Sequence, residues 1–313
     1  MSEKIVALAG GVGGAKLVYG LSQCVNPKNL TVVVNTADDF EHCGLFICPD
    51  LDTVVYTLAK INDPINGWGR QNDSFTVMSE LIQYGGPSWF SLGDKDLGMH
   101  LERTRRLKAG DLLSDITKSF CDSLKIKVNV IPMSNQKIST KINTGDDREL
   151  SFQEYFVRYK CIPYVRNIWF EGIENAKPCE ACVSAITNAD LVIICPSNPW
   201  VSIDPILSIK GIRDVMGSKK VISVSPIIKG KAIKGPAAKI FSEKGIKPNA
   251  SAVAEHYKGL IRGFVLDSLD FAEKEQINQK GIIPLATNTI MNTCEDKVRL
   301  AKEIIDFSLE IIN

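Results

Sequence analysis

Residues 4–16 read KIVALAGGVGGAK, a short apolar run that leads into four glycines and a lysine. Residues 4–9 are typical of a buried strand, and apolar residues then recur at helical spacing from 17 to 25. Residues 30–34, LTVVV, predict a second strand. This segment therefore predicts a β-α-β unit with parallel strands and a right-handed crossover.

Strand and helix patterns alternate again after residue 165. Strands are expected at 165–170, 191–195 and 220–224, with helices at 178–188, 203–209 and 237–244. This alternation predicts an α/β fold, a doubly wound, mainly parallel Rossmann-like sheet with an inserted smaller α/β lobe. We expect a nucleotide-binding core formed by residues 1–110 and 165–313. Residues 111–164 are then the inserted lobe, which forms part of the substrate cleft.

The charge of the chain is balanced, with 37 basic and 36 acidic residues and a net charge of +1. No global field would attract it to nucleic acid or to an anionic membrane, so we expect neither as a partner. No signal-peptide pattern or apolar run long enough to span a membrane is apparent. The nine cysteines are scattered, which favours reduced, buried thiols in a cytoplasmic protein.

The glycine-rich stretch predicts a phosphate site. Without Cβ atoms, Gly11, Gly13 and Gly14 allow backbone N–H groups to converge on an anion at the start of the next helix. The stretch is neither a Walker A motif nor a complete dinucleotide fingerprint, because Lys16 occupies the third glycine position. Lys16 could bring positive charge to the phosphate. The alternative is that the glycines serve only a tight turn.

Four carboxylates follow within 15 residues of one another, at Asp38, Asp39, Asp50 and Asp52. Carboxylates would repel a phosphate unless a divalent cation lay between them, and Mg²⁺ commonly binds one or two carboxylates together with substrate phosphate. The remaining carboxylates could orient or deprotonate a hydroxyl group. Alternatively, Asp39 or Asp52 only caps the next helix.

A second polar loop contains Trp89, Phe90, Asp94 and Asp96. Its aromatic side chains could stack on a planar ring system, with the carboxylates beside it. The alternative is a helix start in which Asp94 is the N-cap and the aromatic residues belong to the core. The basic residues at 103–108 are interpreted as a solvated helix surface. The alternative is that arginines of this run reach an acidic substrate.

Together these motifs resemble the 2-phospho-L-lactate transferases of deazaflavin coenzyme F-420 biosynthesis. The matching stretches occur in the family's order, at residues 10–16, 34–39, 48–53, 89–97, 196–199 with Ser202, and 225–228. The resemblance implies transfer of a 2-phospholactyl or phosphoenolpyruvyl group from a guanosine diphosphate-linked donor to the terminal ribityl hydroxyl of the deazariboflavin Fo. GMP would leave, and Mg²⁺ would be the cofactor.

The resemblance also implies roles for individual residues. Asp38 and Asp50 would be the catalytic and metal-binding residues. The nucleotide and its phosphates would contact Gly11, Gly13, Gly14, Lys16, Ser197, Asn198 and Ser225. The Fo side of the site would include Asp50, Trp89, Ser91, Asp94 and Asp96.

Two further expectations remain open at this point. A related group of glycine-loop proteins binds nucleotide sugars and regulates metabolism without an established transfer reaction, so a non-catalytic regulator is the alternative function. The apolar helix predicted at residues 298–312 could support a homodimer, although burial in the chain's own core explains the same pattern.

Overall fold

A computed structural model describes residues 3–311 of the chain. Its strands are β1 Ile5–Ala9, β2 Leu30–Val34, β3 Phe40–His42, β4 Leu45–Ile47, β5 Asn129–Pro132, β6 Ser139–Thr144, β7 Glu149–Ser151, β8 Val165–Glu171, β9 Leu191–Ile194, β10 Lys220–Val224, β11 Ile227–Ile228, β12 Lys231–Ala232, β13 Gly263–Asp267 and β14 Ile283–Thr287. Its α-helices are α1 Gly11–Cys24, α2 Pro49–Leu58, α3 Thr76–Gln83, α4 Asp94–Lys108, α5 Leu113–Ser123, α6 Glu180–Thr187, α7 Asp204–Ser208, α8 Ile212–Met216, α9 Ala237–Glu243, α10 Ala250–His256, α11 Lys274–Asn278 and α12 Cys294–Glu310. Two π-helical turns lie at Glu154–Arg158 and Pro199–Ile203.

Seven strands form one parallel sheet in the order β14-β13-β10-β9-β1-β2-β5. Strand β1 pairs with β2 on one side and with β9 on the other, so the chain changes direction along the sheet between β1 and β9. Ligands of doubly wound sheets bind at such a switch point, outside the carboxyl ends of the strands. The predicted doubly wound, parallel α/β fold is confirmed.

Alternation along β1 explains why helices cover both faces of this sheet. Ile5, Ala7 and Ala9 belong to one apolar cluster, whereas Val6 and Leu8 belong to another on the opposite face. All five side chains are at most 2% exposed. A parallel strand buried on both faces reads as a continuous apolar run, which is the pattern at residues 5–9.

The pairing of two strands differs from the predicted arrangement. Strand β8 was expected to resume the parallel sheet at residue 165, but it pairs antiparallel with β6. Strand β5 was placed in the inserted lobe, but it pairs with β2 at the edge of the main sheet. Both errors arose because strand patterning does not identify the pairing partner. The division into a core and a lobe stays a prediction, although β5 belongs to the main sheet and β8 to the small antiparallel sheet.

Strands β7, β6 and β8 form a small antiparallel sheet of their own. The hairpin predicted around residues 138–147 is confirmed by the pairing of β6 with β7. Its buried side chains, including Ile142 and Tyr155, pack with Val201 and Ile240 from the main body of the chain. This packing fixes the small sheet beside the π-helical turn that follows β9.

The C-terminal helix α12 packs against α1 along its apolar face. Leu300, Ile304 and Ile305 on that face are fully buried in the main core. Burial within the chain therefore accounts for the apolar pattern that had suggested a dimer, and Ile312 lies outside the described residues. The homodimer stays a prediction. Among residues 3–311, no helix is long and apolar enough to cross a membrane.

Gly20 permits the close contact between α1 and α12. A Cβ atom at this position would lie 2.0 Å from the backbone oxygen of Lys297. We expect Gly20→Ala to lower the free energy of unfolding by about 1–3 kcal/mol, because α12 must move away. The measurement is chemical denaturation.

Gly98 provides the matched control. It is exposed inside α4, and an added Cβ would meet no atom within 4 Å. Gly98→Ala should raise the free energy of unfolding by up to about 1 kcal/mol through helix propensity. Equal effects of the two substitutions would contradict the described packing of α1 against α12.

Candidate active site

A cavity of about 500 Å³ lies at the carboxyl ends of the parallel strands. The ends of five of the seven strands contribute to its wall, with Gly10 after β1, Asp38 after β2, Pro196 after β9, Ser225 after β10 and Thr289 after β14. It therefore occupies the switch point of the sheet.

Most of the residues predicted to form a site come together in this cavity. Its lining includes Gly11, Gly13, Lys16, Asp38, Asp50, Trp89, Ser91, Asp96, Ser197, Asn198 and Ser225. Two predicted residues, Gly14 and Asp94, lie outside the lining.

The glycine turn packs closely against the loop after β9, which leaves no space for side chains. A Cβ at Gly13 would lie 2.4 Å from the backbone oxygen of Pro196, and one at Gly14 would lie 2.6 Å from Oγ of Ser197. Gly11 has a φ of +60°, a conformation that favours glycine. Gly14 therefore allows α1 to pack against the loop after β9 and does not itself face the cavity.

Asp50 is held at the N-terminus of α1. The Gly11 N–H donates to its Oδ1 at 2.7 Å, and Nδ2 of Asn35 donates to its Oδ2 at 3.0 Å. Burial raises the pKa of Asp50 to about 6, and these two hydrogen bonds oppose the rise. One N–H of the predicted phosphate cradle is therefore occupied by a carboxylate. Sequence reasoning missed Asn35, although it follows β2 directly.

Asp38 lies beside Asp50 in the cavity wall and is 5% exposed. Its Oδ1 is buried and accepts no hydrogen bond from any residue that the structure describes. Burial, followed by the negative charges of Asp50 and Asp39, raises the pKa of Asp38 well above its usual value. A buried carboxylate with a free oxygen needs a cation or a proton to be stable.

Asp52 is neutralised by an ion pair that sequence reasoning missed. Arg103, on α4, is 3% exposed and contacts both carboxylate oxygens of Asp52, with Nη1 3.1 Å from Oδ2. The prediction that Arg103 belongs to a solvated surface is wrong, because α4 turns this residue inward. His100 lines the cavity next to this pair, and burial lowers its pKa to about 4.

Asp39 is buried and lies behind the cavity lining. Burial raises its pKa well above the usual value. The cluster thus contains Asp38, Asp39, Asp50 and Asp52, with one guanidinium, that of Arg103, paired to it in the described part of the chain. Of these four, Asp38 and Asp50 face the cavity without an ion-pair partner among the described residues.

The donor set fits Mg²⁺ bound jointly by protein and substrate. Residues 3–311 contain no group of three or more His, Cys, Asp or Glu side chains arranged to hold a metal alone. Mg²⁺ often uses only one or two carboxylates and completes its octahedron with water and phosphate oxygens. Asp38, with its free buried oxygen, and the adjacent Asp50 match that requirement.

Aromatic rings form another part of the wall. Trp89 and Phe90 lie edge to face with centroids 5.7 Å apart, and both contact the rings of Phe40 and His42. Trp89, Phe90 and Ser91 all line the cavity. The loop therefore places an apolar aromatic surface at the site, as the sequence predicted.

Asp94 and Asp96 both lie in the first turn of α4 but have different surroundings. Asp94 was expected on the acceptor side of the site, or as the cap of its own helix, but it caps α3 by accepting N–H groups from Thr76 and Val77 at 3.0 and 3.1 Å. Asp96 lines the cavity, and burial raises its pKa to about 6. Of the two, only Asp96 is placed to contact a ligand.

Polar side chains on the loops after β9 and β10 also line the cavity. Asn198 Oδ1 accepts the Trp200 N–H at 3.0 Å, while its Nδ2 is buried and has no partner among the described residues. Ser197 Oγ joins the loops after β1 and β9 by donating to the Gly10 carbonyl at 2.7 Å and accepting its N–H at 3.1 Å. Ser225 Oγ is turned into its own loop and donates to the Ile227 carbonyl.

The small antiparallel sheet contributes residues that the sequence did not identify. Phe152 and Phe156, around the end of β7, are stacked with centroids 5.5 Å apart, and both line the cavity with Gln153. That the inserted segment forms part of the substrate cleft stays a prediction. Trp68, on the loop after α2, adds another ring to the lining.

Comparison with known proteins identifies the family. The sequence model of the family described as 2-phospho-L-lactate transferase CofD matches residues 5–300. The chain is 40% identical to a 2-phospho-L-lactate transferase from Methanocaldococcus jannaschii, over 97% of each protein. It is also 40% identical to a phosphoenolpyruvate transferase from Thermobifida fusca, over 98% of each protein.

A structural comparison supports the fold alone. A crystal structure of a UPF0052 family member from Bacillus halodurans matches with a TM-score of 0.63 and 14% identity, covering 97% of this chain and 99% of that one. The family model and the two relatives each match nearly the whole chain. This chain therefore belongs to the 2-phospho-L-lactate transferase CofD family of enzymes.

Proposed function

We propose that this enzyme transfers a 2-phospholactyl or phosphoenolpyruvyl group from a guanosine diphosphate-linked donor to the terminal ribityl hydroxyl of the deazariboflavin Fo. The hydroxyl oxygen forms a bond to the phosphorus that carries the acid, and the bond from that phosphorus to the GMP oxygen breaks. The product is coenzyme F-420-0 or its dehydro form. Family membership supports the reaction type, and the cavity supports the assignment of roles.

The observation that carries this proposal is the position of Asp50. Its carboxylate lies at the N-terminus of α1, fixed by the Gly11 N–H and the Asn35 amide, and faces the cavity beside Asp38. A phosphate bound near the glycine turn would therefore lie close to a carboxylate of fixed orientation. Such a group can orient an incoming hydroxyl and accept its proton.

Two sides of the cavity suit the two substrates. The N-terminus of α1, Lys16 and the free Nδ2 of Asn198 offer donors to the nucleotide phosphates. Trp89, Ser91 and Asp96 offer an apolar face and hydrogen-bonding groups to the acceptor ring. The ribityl chain of the acceptor would then extend toward Asp50.

The cofactor in this proposal is Mg²⁺, held by Asp38 and Asp50 together with the donor phosphates. When bound, it would neutralise charge on the transferring group and the leaving oxygen. Asp38 would gain the cation that its buried free oxygen lacks. Asp52 is excluded from this role because Arg103 already binds its carboxylate.

The alternative of a non-catalytic nucleotide-sugar regulator loses its support. The fold match to the UPF0052 structure is at 14% identity and is informative about architecture only. The transferase relatives match this chain at 40% identity over nearly its full length. A cytoplasmic location stays a prediction.

The proposed reaction is tested directly by incubating the purified protein with Fo, Mg²⁺ and each guanosine diphosphate-linked donor. We expect GMP and the deazaflavin product to appear in equal amounts by mass spectrometry, because one transfer releases one GMP. The ratio of rates for the two donors identifies the acid. Binding of nucleotide without product from either donor would contradict the proposal.

Replacing Asp50 tests its role as proton acceptor. We expect Asp50→Asn to retain its fold by circular dichroism while kcat falls at least about 100-fold, because the amide cannot accept the proton. The control is Asp94→Asn, outside the cavity, which should turn over at close to the unmodified rate. Near-normal turnover of Asp50→Asn would remove this residue from the mechanism.

The pH dependence of the unmodified enzyme provides an independent measurement. In the enzyme free of Mg²⁺ and substrate, whose protonation kcat/KM reports, the pKa of Asp50 is about 6, so its carboxylate is mostly ionised at pH 7 and becomes protonated below pH 6. We expect kcat/KM to fall tenfold per unit as the pH decreases below about 6. A rate that stays constant down to pH 5 would contradict this assignment.

A further inference from the structure

Lys234 contributes a second ammonium group to the cavity, on a loop that the sequence motifs did not include. The loop follows the hairpin formed by β11 and β12, and Lys234 lines the cavity with Ile233 and Gly235. Its Nζ donates a hydrogen bond to the backbone carbonyl of Asn66, on the loop after α2. Within residues 3–311, it has no carboxylate at ion-pair distance.

Lys16 is in a comparable electrostatic situation. Its Nζ donates to the Met291 carbonyl at 2.8 Å, and burial, then Lys297, then Lys234 lower its pKa. Asp296 partly offsets these effects, but its Oδ2 already accepts the N–H groups of Asn292 and Thr293. The cavity thus contains two neighbouring ammonium groups that are each bonded to a neutral carbonyl.

The position of Lys234 relative to the glycine turn shows which part of the cavity it serves. A Cβ at Gly67 would lie 2.6 Å from Cγ1 of Val12, in the first turn of α1, and 3.6 Å from Nζ of Lys234. The Lys234 ammonium is therefore next to a residue that packs on the start of α1. That helix end carries partial positive charge, and its Gly11 N–H already donates to Asp50 Oδ1.

The cavity lining carries charges of both signs. Asp38, Asp50 and Asp96 contribute carboxylates, and that of Asp50 is bonded to the start of α1, whereas Lys16 and Lys234 contribute ammonium groups. Two ammonium groups near a helix N-terminus repel one another unless an anion lies between them. A polyanion with at least two negative charges would relieve this repulsion.

We propose that Lys234 binds the phosphate chain of the nucleotide donor together with Lys16, exchanging the Asn66 carbonyl for a phosphate oxygen. This inference rests on the proposed function, because it assigns the anion to the donor of that reaction. A lysine ammonium suits the role, since it is a compact charge on a flexible stem. The contact also brings the loop that contains Lys234 across the bound donor.

Calorimetric titration of the full chain with GDP, with inorganic pyrophosphate and with Fo tests the assignment. We expect Lys234→Ala to weaken GDP and pyrophosphate binding about 10- to 100-fold, because a charge-assisted hydrogen bond is lost. Fo affinity should remain within about twofold of the unmodified protein, since the acceptor is neutral near this end of the cavity. Lys234→Arg should restore most of the affinity, as it keeps the charge.

Lys231→Ala is the matched control. Lys231 is an exposed residue of the same hairpin that lies outside the cavity lining, and its removal subtracts the same charge. It should leave GDP affinity unchanged. Salt screens the attraction between the Lys234 ammonium and the phosphates. Raising the salt concentration should therefore weaken GDP binding less in Lys234→Ala, which lacks this attraction, than in Lys231→Ala.

The inference would be overturned if Lys234→Ala and Lys231→Ala bound GDP and pyrophosphate with the same affinity, whether that affinity equals the affinity of the unmodified protein or is lower. An unmodified protein that binds neither probe would overturn it as well. Failure of the proposed function would give a different result. The transfer assay would then yield no product, while GDP binding would still depend on Lys234.

Discussion

The hydrogen bond from the Gly11 N–H to Asp50 Oδ1 is the contact on which the site depends. It joins the turn after β1 to the start of α2, across 39 residues of sequence, at a distance of 2.7 Å. The second oxygen of Asp50 accepts from Asn35, which follows β2. One carboxylate therefore ties together the ends of two adjacent strands and the beginnings of two helices. Gly10 has to be glycine for this reason, because a Cβ there would lie 2.5 Å from Asp50 Oδ2.

Burying this carboxylate has an electrostatic cost that shapes the rest of the cavity. Four aspartates lie together in a region where Arg103 neutralises one of them. For Asp38, Asp39 and Asp50, a pKa above the usual value means that the folded chain binds protons more tightly than the unfolded chain. Their contribution to stability therefore declines as the pH rises through the range in which they ionise. Under the proposed function the substrates carry negative charge at this place, which is the arrangement expected when a cation is part of the functional complex.

Local pattern was sufficient to predict the parallel sheet and most of the cavity. The glycine turn, Asp38 and Asn198 follow β1, β2 and β9 within a few residues, so the order of the parallel strands brings them to the same edge. Asp50 instead lies in the first turn of α2, after the separate hairpin of β3 and β4. The residues that were missed depend on long-range packing. In the sequence, Arg103 belongs to a basic run that is typical of a helix surface, but the packing of α4 against β4 buries it. Phe156 reaches the cavity because the small sheet packs on Val201. Asp94 was misassigned because a cap can serve a helix other than its own, which spacing along the chain does not reveal.

The most direct test of the account is the effect of Mg²⁺, in the presence of saturating GDP, on thermal unfolding of the unmodified protein, of Asp38→Asn and of the surface control Glu41→Gln. At about one hundred times its Kd, Mg²⁺ should add about 2.7 kcal/mol to the free energy of unfolding of the unmodified protein and of Glu41→Gln. Asp38→Asn should be more stable than the unmodified protein without Mg²⁺, because a buried charge is removed, and should gain little when Mg²⁺ is added. The same stabilisation by Mg²⁺ in all three proteins, or none in any, would contradict the account.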